Sequence, residues 1–355
     1  MDNQANILRN GITTGTCAAA AAKAAVAVLL GGEPPETVDV SLPAGERISI
    51  PILSATVKET GAEASVVKDA GDDPDITDGV TVKAFVEWCS GGISFCAGAG
   101  VGTVTKPGLS VKQGEPAVNP VPRTMIVRSV RELTNRGVRI TLSIPGGEEL
   151  AERTFNPRLG IQGGLSILGT SGRVRPFSCA ALRTSLRCGL DVLAATGIKF
   201  PILVPGHIGE RAARRHFRVV EEQVIEVSNE WGYMLDEAAP RGFAGILVLG
   251  HPGKLAKLAA GDWDTHSSRS KSALPFVANL VAENLGRDFS EAPTVEGIFS
   301  SLPEIQKKKL GNLIAGRIRK SVVDRLGKAT MVAVVLVDMK GNILGMAGDI
   351  SPWQL

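Results

Sequence analysis

Aromatic side chains are scarce in this sequence, which has a single tyrosine, Tyr233, and only 4% aromatic residues overall. Proteins that hold single-stranded nucleic acid usually stack successive bases on aromatic rings. The formal net charge of +3 over 355 residues is also too small to indicate a polyanionic partner. We therefore expect no nucleic-acid partner.

Cysteine is rare, and its spacing matches no common metal or disulfide motif. The odd number of cysteines and the absence of a CxxC motif predict neither a zinc site nor a disulfide framework. Reduced thiols are typical of a cytosolic protein. We therefore expect no protein-bound metal and a cytoplasmic location. The five cysteines are Cys17, Cys89, Cys96, Cys179 and Cys188.

Long apolar runs are missing as well. The apolar stretch over residues 18–30 is interrupted by Lys23 and is shorter than the roughly 20 residues that a membrane-spanning helix needs. No clear small-residue cleavage pattern follows it, as a signal peptide would require. The sequence therefore predicts no membrane partner.

Several common catalytic motifs are absent. The sequence has no Walker A loop, no G-x-S-x-G nucleophile elbow, no H-E-x-x-H motif and no G-x-G-x-x-G dinucleotide motif. The composition is otherwise that of an ordinary globular protein, with 44% hydrophobic and 21% charged residues. These observations favour an enzyme whose cofactor or substrate supplies the reactive group while the protein positions both.

The first part of the chain, residues 1–150, predicts an α+β domain with a largely antiparallel sheet. An alanine-rich helix is predicted over residues 17–30, because threonines precede it and two glycines end it. Val and Ile then recur near period two in short segments separated by turns. These segments are residues 38–42, 47–53, 64–67, 80–88 and 138–144, with a second helix predicted over residues 123–133.

The second part, residues 151–355, predicts an α/β domain with parallel strands and glycine-rich ligand loops. Strands alternate with turns and helices, which is typical of parallel sheets. The fold class is therefore mixed α/β, and about two domains are expected at this length. The predicted strands are residues 202–204, 224–227 and 246–249, followed by helices over 268–325 and a closing β-hairpin at 331–337 and 343–347.

The glycine-rich block over residues 156–178 is the most informative stretch. Glycines let a ligand approach the backbone closely, and a helix beginning near Ser178 would direct N–H groups towards it. A structural turn is the alternative, but the hydroxyls within the block favour ligand binding. On this hypothesis, a side chain introduced at Gly164 or Gly169 abolishes binding and leaves the fold intact.

Arginines crowd two stretches of the chain, residues 123–139 and 173–187. The planar guanidinium group binds carboxylates and phosphates through two hydrogen bonds at once. Two solvated helix faces are the alternative interpretation. The pattern alone does not separate the two.

Histidine is rare, and two of the four histidines directly follow predicted strands. His207 and His251 come after the strands at 202–204 and 246–249, where ligands bind in open α/β sheets. His266 lies in a polar loop, residues 264–267. Because imidazole transfers protons near neutral pH, these three are candidates for that role, whereas His216 is predicted to be structural.

Three other motifs are predicted to be structural when taken alone. The acidic run over residues 69–78 lacks the spacing of an EF-hand loop and predicts a polar turn. The glycine turn over residues 98–102 is too short a signal to indicate a ligand. Cys17 lies near a helix N-terminus among alanines, so it is predicted to be an inert packed thiol.

Six stretches, in order along most of the chain, carry a resemblance to a known family. They are GITTGTCAAAAAK (11–23), GDDPD (71–75), GVGTVTKPGL (100–109), NPVPR (119–123), the block over 156–172, and GKLAKL (253–258). Together they resemble the CbiD family of cobalt-precorrin-5B C1-methyltransferases. The resemblance implies methyl transfer from S-adenosyl-L-methionine to C1 of cobalt-precorrin-5B, giving cobalt-precorrin-6A in anaerobic cobalamin biosynthesis. Cobalt then arrives inside the substrate.

The resemblance also suggests what the candidate residues bind, and it implies no metal ligand in the protein. His251 and His266 are the catalytic candidates. A phosphoryl-transfer enzyme and a non-catalytic tetrapyrrole-binding protein remain as alternatives, and a homo-oligomer is left open. For the cofactor the candidates are Gly163, Gly164, Ser166, Gly169, Thr170, Ser171, Gly206 and His207, and for the polycarboxylate corrinoid they are Thr14, Gly100, Gly102, Arg123, Arg158 and Arg175.

Overall fold

A computed structural model describes residues 8–327 and 329–354, apart from the side chain of Glu221. The chain forms two compact units, residues 1–180 and 181–355. The sequence predicts a domain boundary after residue 150, whereas the compact units divide later. The reason is that segments after residue 160 pair with strands that precede residue 105.

The first unit contains thirteen of the described strands and three of the described helices. The strands are β1 Gly11–Ile12, β2 Thr37–Ser41, β3 Arg47–Pro51, β4 Ser54–Val57, β5 Ala62–Val67, β6 Thr81–Cys89, β7 Ile93–Ala97, β8 Gly100–Val101, β9 Thr103–Val104, β10 Gly137–Ser143, β11 Ile161–Gln162, β12 Gly164–Leu165 and β13 Arg173–Val174. The helices are α1 Thr14–Leu29, α2 Pro120–Arg131 and α3 Gly147–Ala151.

The main sheet of this unit has the order β4-β5-β6-β10-β7. All of its pairs are antiparallel except β10 with β7, which confirms the predicted α+β half with a largely antiparallel sheet. Helix α1 packs on β5 and β6 on one side and on α2 on the other. Seven of its eight alanines are fully buried, because small side chains let a helix lie close to two neighbours at once.

The second unit combines helices with a single five-stranded sheet. The helices from residue 179 onward are α4 Cys179–Ala195, α5 His207–His216, α6 Trp231–Ala238, α7 Pro252–Ala259, α8 Leu274–Leu285, α9 Val295–Ser300 and α10 Glu304–Leu326. The strands are β14 Ile202–Val204, β15 Val224–Glu226, β16 Gly245–Gly250, β17 Met331–Val337 and β18 Ile343–Ala347.

Its strand order is β15-β14-β16-β17-β18. The first four strands are parallel, and β18 returns antiparallel beside β17, so the predicted parallel strands are confirmed. Every residue of β16 is buried, as expected for a parallel strand covered on both faces. The chain leaves β14 towards β15 and leaves β16 towards β17, which makes the β14/β16 pair the topological switch point of the sheet.

Among the residues that the structure describes, no helix is both long enough and apolar enough to cross a membrane.

Candidate functional site

The glycines of the first unit lie where its backbone segments touch. A Cβ at Gly164 would lie 2.2 Å from the carbonyl carbon of Gly100, and one at Gly100 would lie 1.8 Å from the Ile144 oxygen. Gly102 has no more room, since its Cβ would meet the Ile161 side chain at 2.5 Å. These glycines are therefore required by the packing of β8 against β12 and its surroundings. The hypothesis that a side chain at Gly164 leaves the fold intact is wrong.

Ser166 and Thr14 are likewise engaged inside the unit. The Ser166 hydroxyl donates to Oδ1 of Asn156 over 3.2 Å. The amide of Leu168 donates to Oγ1 of Thr14 over 2.9 Å. A Cβ at Gly169 would lie 2.5 Å from Cβ of Thr13, so a side chain at Gly169 also disturbs the fold. The Thr14 hydroxyl and Gly169 therefore hold the block against the start of α1, whereas the Ser166 hydroxyl forms a hydrogen bond within the block.

The N-terminus of α1 is satisfied by protein groups. The amide of Gly15 donates to the Leu168 oxygen over 3.0 Å. The hydroxyl of Thr16 donates to the Gly172 oxygen over 2.6 Å, and the Thr13 side chain caps the first turn. The glycine block itself therefore occupies the helix end, where an anion would otherwise bind.

Three predicted residues of the block face the surface of the unit. Gly163, Thr170 and Ser171 are exposed. Gly163 has a φ of +81°, and no described atom lies within 4 Å of the Cβ that it lacks. The Ser171 hydroxyl donates to the Arg173 oxygen over 3.0 Å, which fixes the turn. These are the predicted cofactor residues of the block that a ligand can reach.

The predicted substrate arginines differ in their surroundings. The Nε of Arg123 donates to the Val118 oxygen over 2.7 Å, and its guanidinium pairs with Glu115 at 2.8 Å. Arg158 is half-buried. Arg175 is exposed, and within the described part of the chain it forms no ion pair. Arg175 is thus the arginine that is best placed to meet a carboxylate from solution.

The acidic run forms the polar turn that the sequence predicts. Asp69 pairs with Arg9, and the hydrogen bond from that guanidinium lowers the pKa of Asp69 to about 2. Asp75 pairs with the buried Lys68 at 2.8 Å. Among the residues that the structure describes, no group of three or more His, Cys, Asp or Glu is arranged to hold a metal ion.

Cys17 is fully buried. Burial raises the pKa of its thiol to about 12. The prediction of a packed thiol is therefore confirmed. Because the thiolate is the reactive form of cysteine, we expect this thiol to be inert.

In the second unit, the ends of three neighbouring strands come together. Gly206 follows β14 with a φ of 153°, and the Cβ that it lacks would lie 3.5 Å from Oε1 of Glu226, the last residue of β15. The ring of Pro205 packs against Gly250, the last residue of β16. We call residues 205–207, 226 and 250–254 the switch edge. The structure thus brings Gly206, His207 and His251 to one edge of the sheet, as the sequence predicts.

His251 caps helix α7. Its Nδ1 accepts from the Gly253 amide over 3.0 Å, so the neutral ring carries its proton on Nε2. That nitrogen lies 2.7 Å from Oε2 of Glu296, to which it donates. Both ring nitrogens are engaged, which gives His251 a role in holding α7 and α9 in place. Its catalytic role stays a prediction.

The other two candidate histidines are less enclosed. The His207 side chain is 86% exposed, and its Nδ1 lies 3.7 Å from Oε2 of Glu210. His266 is half-buried, and its Nδ1 lies 2.8 Å from the Ser268 hydroxyl. Proton transfer by either residue stays a prediction.

The loop that carries His266 is tied to the carboxyl side of β15. The Thr265 amide donates to the Asn229 oxygen over 3.1 Å. The buried ammonium of Lys257 donates to the Thr265 oxygen over 3.2 Å and to the Ser270 hydroxyl over 2.8 Å. These contacts hold the loop beside the switch edge.

Lys254 and Glu226 are residues of the switch edge that the sequence reasoning missed. Burial lowers the pKa of Lys254, and the charge of Glu226 opposes that shift. Lys254 lies in the GKLAKL stretch that carried the family resemblance, so a signal for it was present. Glu226 had no such signal, because only the pairing of β15 with β14 brings it beside Gly206.

The comparisons with known proteins agree along the chain. Residues 1–176 match the CbiD family, and residues 264–348 match the family described as CbiD, C-terminal domain. A protein of Syntrophotalea carbinolica named cobalt-precorrin-5B C(1)-methyltransferase is 52% identical, over 98% of this chain and 99% of the relative. A protein with the same name from Thermoanaerobacter sp. is 41% identical, over 98% of this chain and 97% of the relative. Another, from Methanocaldococcus jannaschii, is 42% identical, over 94% of this chain and 95% of the relative.

A solved structure is also similar, the cobalamin biosynthesis protein (cbiD) from Archaeoglobus fulgidus. It is 34% identical, covers 74% of this chain and 83% of its own, and superposes with a TM-score of 0.40. With relatives above 40% identity over almost its full length, the chain belongs to the CbiD family.

Proposed function

We propose that the protein is a cobalt-precorrin-5B C1-methyltransferase, which uses S-adenosyl-L-methionine to methylate C1 of cobalt-precorrin-5B and gives cobalt-precorrin-6A. One observation carries the reaction: several relatives with this enzyme name align with both units of the chain and are matched over nearly their own full length. The reaction belongs to anaerobic cobalamin biosynthesis, and we infer a cytoplasmic location for it.

We place the methyl donor at the switch edge of the second unit. In open α/β sheets, ligands bind outside the carboxyl ends of the strands where the strand order reverses. That position is occupied here by Gly206, His207 and the start of α7. The backbone at Gly206 adopts a φ of 153°, which favours glycine and leaves no side chain over the neighbouring carboxylate.

In the first unit, taken by itself, we propose that the exposed part of the glycine block contacts the corrinoid, which reassigns Thr170 and Ser171 from the cofactor that the sequence predicts for them. The substrate carries acetate and propionate carboxylates, which an arginine fork binds through two hydrogen bonds. Arg175 is exposed, and Thr170 and Ser171 present hydroxyls on the same loop. The buried members of the predicted set, such as Gly164 and Thr14, would support this loop from beneath.

The reaction mainly requires the protein to position the methyl donor and the corrinoid. A methyl sulfonium is a good electrophile, and C1 of the macrocycle acts as an enamine-like nucleophile. The C–C bond would form as the C–S bond breaks, the sulfur would leave with the bonding electron pair as a neutral thioether, and the positive charge would pass to the enamine nitrogen of the macrocycle. Holding two reactants in line supplies on the order of 7 to 11 kcal/mol of a barrier. This role needs no acid–base residue at the methyl group, in keeping with the engaged ring of His251.

Calorimetry on the full chain tests this function against the two alternatives. We expect S-adenosylhomocysteine, the product of the donor, to bind, and a corrinoid polycarboxylate to bind as well. Binding of ATP with Mg²⁺ instead of S-adenosylhomocysteine would point to phosphoryl transfer. Binding of the corrinoid alone would point to a tetrapyrrole carrier.

A further inference from the structure

Lys254 is a half-buried cation for which the described chain provides no counter-ion contact. It is the third residue of α7, and α7 begins directly after the switch-point strand β16. Among residues 8–327 and 329–354, no carboxylate forms an ion pair with its ammonium and no acceptor takes a hydrogen bond from it. Burial lowers its pKa, as expected for a cation that has lost water without gaining a partner.

Glu226 supplies the opposite charge two strands away. It ends β15, which pairs with β14, and β14 pairs in turn with β16. Its Oε1 lies next to Gly206. Its negative charge partly offsets the lowering of the Lys254 pKa that burial causes. A carboxylate has about four lone-pair sites, so it can accept hydrogen bonds from a ligand in addition to those it makes within the protein.

We propose that Lys254 and Glu226 clamp the zwitterionic amino-acid end of S-adenosyl-L-methionine, with Lys254 on its α-carboxylate and Glu226 on its α-ammonium. This inference rests on the proposed function. A pair of opposite charges at neighbouring strand ends matches the opposite charges of an amino acid. A phosphate, which is only negative, is repelled by Glu226.

The place of Gly206 beside the Glu226 carboxylate supports the same ligand. A Cβ at this position would already be in van der Waals contact with the Glu226 carboxylate. A larger side chain would therefore cover the carboxylate. Glycine keeps it reachable from the edge of the sheet, and the φ of 153° explains why the backbone itself favours glycine here.

Three probes with different amino-acid ends test the clamp by calorimetry on the full chain. Because decarboxylated S-adenosylmethionine also carries a methyl sulfonium, the affinity of each probe is compared between a variant and the parent chain. S-adenosylhomocysteine carries both charges, decarboxylated S-adenosylmethionine lacks the carboxylate, and 5′-methylthioadenosine lacks the whole amino acid. Lys254→Met is expected to weaken the binding of S-adenosylhomocysteine about 10- to 100-fold, which is the effect of losing one charge-assisted hydrogen bond. The same variant should leave the other two probes unchanged.

Glu226→Gln is expected to weaken the binding of S-adenosylhomocysteine and of decarboxylated S-adenosylmethionine. The binding of 5′-methylthioadenosine should not change. Lys254→Arg keeps the charge and should retain most of the affinity for S-adenosylhomocysteine. The exposed Lys320→Met on α10 is the matched control and should bind all three probes normally. Equal circular dichroism spectra of the variants establish that they fold.

The results separate the clamp from the function on which it rests. If Lys254→Met binds S-adenosylhomocysteine as tightly as the parent chain, the clamp is overturned and the cofactor assignment stands. If the parent chain binds none of the three probes, both are overturned. An equal loss for all three probes in Lys254→Met would also contradict the clamp, because it would indicate a general disturbance of the edge.

Discussion

His251 and Glu296 join the start of α7 to the start of α9 through a 2.7 Å hydrogen bond. The same ring caps α7 through Nδ1, so one side chain fixes the end of the switch-point strand and the helix after it. A side chain oxygen or nitrogen at an N-cap contributes about 1 kcal/mol, and up to about 2 kcal/mol in favourable cases.

His251→Ala is therefore expected to loosen the first turn of α7 by about 1 to 2 kcal/mol. Hydrogen exchange at the Gly253 amide measures this directly, since that amide loses its acceptor. His251→Asn restores an acceptor and should recover most of the protection, and His207→Ala at the neighbouring strand end should change nothing at Gly253. Unaltered exchange at Gly253 in His251→Ala would contradict the capping role.

Two adjacent glycines provide a matched test of why the block is glycine-rich. A methyl group at Gly164 has no room against Gly100, whereas at Gly163 it meets no described atom. Gly164→Ala is expected to destabilise the first unit by about 3 kcal/mol or more, because backbone must move. Gly163→Ala should cost only about 1 kcal/mol for its positive φ. Urea unfolding checks both, and equal losses would refute this reading of the packing.

The lowered pKa of Asp69 predicts that the stability of the first unit depends weakly on pH in the acid range. Its pKa of about 2 in the folded protein is below the unfolded value of about 3.9. The ion pair with Arg9 therefore contributes stability that is present above pH 4 or so and is lost as the pH falls through about 2. Both side chains are largely exposed, so screening keeps the effect small.

The comparison that isolates this contribution is the unfolding of the parent chain and of Asp69→Asn at several pH values. Asp69→Asn should be the less stable protein near neutral pH, and the difference should shrink towards pH 2. A difference that stays constant over the whole range would contradict the role of the Asp69 charge.

The cysteines should differ in reactivity in the native protein. Cys17 is buried with a pKa of about 12, whereas Cys179 is exposed. Iodoacetamide at neutral pH is expected to label Cys179 readily and Cys17 only after unfolding, as read by mass spectrometry. Labelling of Cys17 at the rate of Cys179 would show that the buried helix α1 opens readily.

Much of the fold follows from local sequence patterns. Period-two segments and the strand–turn–helix alternation predict most strands within a few residues, because burial on one or both faces imposes those periods. Alanine content predicts α1. The short strands β8, β9, β11 and β12 carry no period, since two residues are too few to show one, and their pairing depends on contacts distant in sequence.

The candidate site is less readable from the sequence, for a related reason. A glycine reveals that a side chain is excluded, but the excluded space at Gly164 belongs to Gly100 and not to a ligand. The sequence places His251 correctly at a strand end, but only the structure brings Glu296 to its ring. Lys254 and Glu226, the proposed clamp, are brought to one edge of the sheet by the parallel pairing of β15, β14 and β16.

The most direct test of the central claim is methyl transfer itself. The full chain, cobalt-precorrin-5B and S-adenosyl-L-methionine with an isotope-labelled methyl group are incubated together, and the product is analysed by mass spectrometry and NMR. Our account predicts one labelled methyl group at C1 and one S-adenosylhomocysteine released per corrinoid. A corrinoid that binds the chain but is recovered without the label, or with the label at another carbon, would contradict it.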